Sequence, residues 1–142
     1  MRKIDHIVVH CTATHQNATA EGILRYWREE LGWTNPGYHY LILPDGSIHQ
    51  YIDQKEIANG VRGYNAHGLH ISYVGGIDKN GNPVDNRTDE QRLSMFNLLI
   101  KLTMQHPEAE LKGHRDFLGV NKACPCFDVA EWFENHPLRL TT

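Results

Sequence analysis

The chain has 142 residues, 40% of them apolar, and a formal charge of −3, a size that builds one hydrophobic core and predicts a single domain over residues 1–142. Its Lys and Arg residues are scattered, which excludes the basic footprint of a protein that binds nucleic acid or an anionic membrane surface. No apolar run approaches the ~20 residues of a membrane span, and the first residues lead straight into a strand-like stretch in place of a signal peptide, so the chain is expected to remain in the cytoplasm of the cell that makes it.

Ile4 to His10 is rich in β-branched residues and apolar at Ile7, Val8 and Val9, which predicts a strand covered on both faces with His10 at the rim of the sheet. Thr19 can cap a helix running to about Glu30, with Ile23, Leu24, Trp27 and Leu31 as its core stripe and Gly32 as its stop. Tyr38 to Leu43 and Ser47 to Tyr51 flank Pro44-Asp45-Gly46, a tight hairpin turn. His70 to Val74 reads as a further strand. Thr88-Asp89-Glu90-Gln91 has capping-box spacing, and Leu93, Phe96, Ile100 and Thr103 carry the helical period on to Gln105. Leu111 to His114 forms a short strand, and Asp128 with Glu131 caps a last helix bearing Trp132 and Phe133. The order β, α, β, β, β, α, β, α predicts an α/β fold, a mixed sheet flanked by helices.

Three cysteines are an odd count, and in a reducing compartment they favour free thiols or metal ligands over a disulfide framework. Of the ten histidines, His15, His67, His106 and His136 lie in polar or loop-like surroundings and are expected at the surface. His10 and His114 are different, because each ends a strand, and neighbouring strand ends bring residues distant in sequence to one rim. Catalytic zinc takes three protein ligands and leaves a fourth position for water, and imidazole and thiolate suit it well. Two histidines and one cysteine make up that number.

In Lys122-Ala123-Cys124-Pro125 the proline disfavours the helical region for Cys124, so the segment is extended and Lys122 and Cys124 project to one side. A lysine there can hold the charge that develops on an attacked amide oxygen. The same alternation admits Cys126, so chain geometry leaves both thiols open as the third ligand. Cys11, next to His10 on a strand, faces the other way and reads as a small buried residue. Tyr38, in Gly37-Tyr38-His39-Tyr40, can orient a water by hydrogen bonding or serve as an ordinary edge residue of the core.

Val9-His10-Cys11-Thr12-Ala13-Thr14, Gly37-Tyr38-His39-Tyr40, Gly63-Tyr64-Asn65, Val74-Gly75-Gly76-Ile77-Asp78, Gly113-His114-Arg115-Asp116 and Lys122-Ala123-Cys124-Pro125 with Phe127-Asp128 stand in an order that resembles the zinc-dependent N-acetylmuramoyl-L-alanine amidases of the phage lysozyme type. Peptidoglycan recognition proteins are relatives of that family. The resemblance runs from about residue 4 to residue 135. It implies one zinc ion held by His10, His114 and Cys124, the family's ligand cysteine being the one followed directly by proline. It further implies that Tyr38 assists the zinc-bound water, that Lys122 stabilises the oxyanion, and that the enzyme cleaves the amide between N-acetylmuramic acid and L-alanine of peptidoglycan. A monomeric endolysin, released to the cell wall after synthesis, is the role this implies. A non-catalytic peptidoglycan-binding module and a protein-binding regulator are the rival readings on the same fold.

The chain departs from the family at two places. Gly60 stands where several phage relatives carry a histidine, four residues before the tyrosine of Gly63-Tyr64-Asn65, and Cys126 stands where a small residue is common. Cys126 is expected to be a spare thiol near the metal and not a ligand.

Overall fold

The computed structural model describes residues 2–140; residues 1, 141 and 142 of the expected domain lie outside the described residues. Five strands form one sheet: β1 (His6–Cys11), β2 (Tyr40–Ile42), β3 (Ile48–Gln50), β4 (Gly68–Tyr73) and β5 (Glu110–Gly113), in the order β3-β2-β4-β1-β5. The hairpin pair β2 and β3 is antiparallel, and every other pairing is parallel. The helices are α1 (Ala20–Arg25), α2 (Asp89–Gln105), α3 (Val129–Glu134) and α4 (Pro137–Leu140). The mixed sheet flanked by helices is thus the observed fold, with every expected strand and helix present.

Alternation along β1 and β4 sorts their side chains to two faces. Ile7, Val9 and Cys11 with Leu69, Ile71 and Tyr73 pack on Met95, Leu99 and Leu102 of α2 and on Val129 and Phe133 of α3. The opposite face carries Val8, His10, His70 and Ser72, all buried, under α1 and the loops. A strand covered on both sides is the arrangement that parallel sheets require, so the uninterrupted Ile7-Val8-Val9 run is the local cause of a central position for β1.

The caps follow the sequence closely. Thr88 Oγ1 accepts the Gln91 N–H at 3.0 Å while Gln91 Oε1 accepts the Thr88 N–H at 3.0 Å, which satisfies two donors at the start of α2. The buried Gln91 amide also donates to the Ile42 and Val74 carbonyls, tying the helix to two strand ends. Thr19 and Asp128 cap α1 and α3 through Gly22 and Glu131.

Two local expectations give way. The helix from residue 20 does not stay α-helical: Tyr26–Glu30 is a π-helical turn in which the Leu31 N–H donates to the Tyr26 carbonyl. The wider turn shifts the following residue off the 3.6-residue stripe, so Ile23 and Trp27 are buried but Leu31 is exposed. His106 and His136, both expected at the surface, are only partly exposed: His106 Nε2 lies 2.9 Å from Gln54 Oε1, and His136 stacks on Phe96 with ring centroids 3.8 Å apart.

His39, buried just before β2, donates from Nε2 to the Glu56 carbonyl at 2.8 Å and accepts the His70 N–H on Nδ1 at 3.0 Å. Burial, aided by the Arg2 charge, holds its pKa down to about 4 from 6.5, because protonating Nδ1 would also break the bond to β4. A pKa lower in the folded than in the unfolded chain stabilises the fold above about pH 6.5, and that stabilisation is lost as pH falls through 4. Urea unfolding followed by tryptophan fluorescence is expected to show a decline of up to about 3 kcal/mol from this group alone. His39→Asn keeps an acceptor without a titrating ring, so its stability should fall less steeply than the parent's between those pH values.

Candidate metal centre and active-site groove

The parallel strands end on one rim, the usual location of binding sites on such sheets. Register places the first two candidate ligands side by side: Val9 of β1 pairs with Gly113 of β5, and the next residues are His10 and His114. Their Nδ1 atoms lie 3.2 Å apart. The loop after β5 then doubles back, closed by the Arg115 N–H donating to the Cys124 carbonyl at 2.9 Å and by the Tyr73 hydroxyl donating to the Pro125 carbonyl at 2.7 Å. This brings Cys124 Sγ to within 4.8 Å of both imidazole nitrogens.

The donor set fits a zinc ion. Two nitrogens each about 2.05 Å from a tetrahedral ion would stand about 3.3 Å apart, close to the observed 3.2 Å. Burial, then the neighbouring His70, His114 and Lys122, holds the His10 pKa well below its ordinary value, and burial with the Lys122 charge holds that of His114 down to about 4. Both rings are therefore neutral at pH 7, with lone pairs available. The Cys124 pKa is lowered as well, despite burial, because the Cys11 thiol donates to its sulfur and the Cys11 N–H donates at 3.1 Å. A thiol made easier to deprotonate beside two neutral imidazoles suits divalent zinc, which binds cysteine as thiolate and histidine as neutral imidazole.

Cys11 does more than its expected role as a small buried residue. It lies in the apolar core and its pKa is pushed far up, first by the bond to Cys124, so it stays a thiol and serves as a donor to the Cys124 sulfur. Cys126 parts from the alternation that made it an alternative ligand. Its φ of 75° turns the chain, its sulfur points to the Gly76 carbonyl at 3.5 Å, and it is absent from the His10, His114, Cys124 group.

Tyr38 and Lys122 both line the cleft that opens over these three residues, a space of about 860 Å³ walled by Trp27, Trp33 and Leu31. The Tyr38 hydroxyl donates to the Cys11 carbonyl at 3.3 Å, and its ring stands 5.2 Å from that of His10. Burial pushes its pKa above the ordinary phenol value, so it acts as a neutral hydroxyl. Lys122 is exposed at the lip. A second depression of about 800 Å³, lined by Arg62, Tyr64 and Asn65, shares Trp33, Gly60, His114 and Lys122 with the first, so the two form one groove that passes over the ligand group.

Sequence reasoning assigned no role to His70, which is fully buried with its Nδ1 2.9 Å from His10 Nε2. The parallel register of β1 and β4, which sets His70 diagonally across from His10 on one face, was the missing information.

The profile of the N-acetylmuramoyl-L-alanine amidase family matches residues 1–127. The chain is 39% identical to the endolysin of Klebsiella phage KP32 over 140 residues, covering 96% of this chain and 90% of that protein. It is 37% identical to the endolysin of Escherichia phage T7 over 136 residues, covering 94% and 88%. Among solved structures, the endolysin of the Thermus scotoductus bacteriophage Ph2119 superposes with a TM-score of 0.80 at 26% identity, over 94% of this chain and 84% of that one. With the profile running through both histidines and the cysteine that the fold gathers, the chain belongs to the N-acetylmuramoyl-L-alanine amidase family.

Proposed function

We propose that this chain, acting as one domain over residues 1–142, is a zinc-dependent endolysin that hydrolyses the amide between the lactyl group of N-acetylmuramic acid and L-alanine of the peptidoglycan stem. The observation that carries the reading is the His10, His114, Cys124 group, three ligand atoms within 4.8 Å of one another at the floor of an open groove. Tyr38 and Lys122, which line the same cleft, supply a hydroxyl that can orient water and a cation that can meet a developing oxyanion. Zinc held there would supply Lewis-acid polarisation of the scissile carbonyl and would lower the pKa of water toward ~7.

The chain's own residues do the rest. Tyr38, its proton committed to the Cys11 carbonyl, offers oxygen lone pairs that accept from the attacking water and fix its orientation. Lys122 meets the amide oxygen as negative charge develops on it. The tryptophan-lined arm of the groove and the arm beside Arg62 and Tyr64 give an extended muramyl peptide room on both sides of the reacting bond. The protein works as a monomer, is made in the cytoplasm and reaches the wall after release. Among the described residues no helix is long and apolar enough to cross a membrane.

Purified protein is expected to carry one zinc per chain and to release stem peptides with free L-alanine amino ends from isolated cell wall. New reducing sugar ends in place of new amino ends would mean glycosidic cleavage and would sink the proposal.

A further inference from the structure

On the strength of that zinc-site reading, we infer that His70 is a positioning residue for the metal centre, and that it reaches from strand β4 into the space a side chain at position 60 would otherwise fill. Its Nδ1 lies 2.9 Å from Nε2 of His10, and both rings are buried. If His10 ligates through Nδ1, the atom that faces His114, its remaining proton must sit on Nε2. His70 Nδ1 is the acceptor within reach of that proton. The bond fixes both the tautomer and the plane of His10, the task that outer hydrogen-bond partners perform for metal-bound imidazoles.

Two further observations support a role beyond packing. With its proton on Nε2, His70 has a buried donor that finds no partner among the described residues. An apolar residue of similar volume would avoid that cost, so an imidazole here calls for a reason. Position 60 supplies the second observation: a Cβ built on Gly60 would fall 2.1 Å from His70 Nδ1, a distance no non-bonded pair of heavy atoms tolerates. The two positions therefore compete for one volume beside His10. Glycine at 60 is what lets the strand supply the ring.

The test measures zinc affinity by chelator competition, with thermal unfolding as a check on folding. His70→Leu, which fills the space without an acceptor, is expected to weaken zinc binding about 10–100-fold. His70→Asn, which can place its amide oxygen near the Nδ1 position, is expected to recover most of the loss. The exchange variant, Gly60→His with His70→Gly, should bind zinc more tightly than either single substitution predicts, since the loop ring then enters the vacated volume. Wild-type affinity in His70→Leu, equal losses in the Leu and Asn variants, or additive losses in the exchange would each overturn the inference while leaving the zinc site intact. Should His70→Leu fail to fold, the exchange variant decides. A wild-type protein that binds no zinc would overturn the site reading together with this one.

Discussion

Cys124→Ser is expected to emerge from purification with almost no zinc and no measurable amidase activity, while Cys126→Ser keeps both. The difference arises from where the chain sends each sulfur. Cys124 Sγ accepts the Cys11 N–H at 3.1 Å and also a bond from the Cys11 thiol, so its thiolate is stabilised before any ion arrives. Serine cannot replace it, because an alkoxide is not accessible near neutral pH and a neutral hydroxyl is a poor ligand for zinc. The loss should exceed the ~10–100-fold that removing an outer hydrogen-bond partner costs. The Cys126 thiol, by contrast, is held above the ordinary thiol range, at about 11, with burial as the first cause. It sits against Gly76 and away from the imidazoles. Metal content by atomic absorption decides the matter, and zinc retained by Cys124→Ser but lost from Cys126→Ser would reverse the ligand assignment.

Local chemistry accounts for most of what is legible in this sequence. Thr19, Thr88 with Gln91, and Asp128 all cap helices where residue type and spacing predict, because a cap depends on neighbours within one turn. The hairpin at Pro44-Asp45-Gly46 is equally local: Asp45 accepts from Ser47, and β2 and β3 pair around it. His10 and His114 are legible as strand ends, but their meeting depends on β5 lying beside β1, a long-range pairing that no nearby residue specifies. The same limit hid His70. Its strand was expected, yet its partner is set by the parallel register with β1 and by the glycine at position 60, ten residues away in sequence and in contact in space. The π-helical turn after Arg25 and the positive φ at Cys126 broke two periodic arguments, for Leu31 and for the choice of thiol, since periodicity holds only while the backbone repeats. The groove walls come from the segments around residues 26–38, 59–65 and 118–122, and irregular backbone offers no period to read.

Lys122→Ala should fold normally, bind zinc like the parent, and lose about 10²–10³ in turnover, the usual cost of removing one donor to a developing oxyanion. The lysine is exposed at the lip of the cleft, so its removal leaves no buried cavity and little of the fold depends on it. Burial lowers the pKa values of His10 and His114 and the Cys11 hydrogen bond that of Cys124, with the Lys122 charge only the smallest contribution to each, so the three side chains keep their protonation states without it. In the proposed reaction a cation at this position would face a nearly neutral carbonyl oxygen in the ground state and a negative one during attack, and so would favour the transition state over the bound substrate. The loss should therefore fall on kcat with KM little changed. Lys122→Arg should recover only part of the rate, because a planar guanidinium spreads the charge that an ammonium concentrates. Steady-state release of stem peptides from a soluble muramyl peptide, measured at saturating zinc, separates this role from metal retention. A turnover in Lys122→Ala within a few-fold of the parent would remove the lysine from catalysis, and a loss carried entirely by KM would make it a binding residue for the substrate's acidic groups.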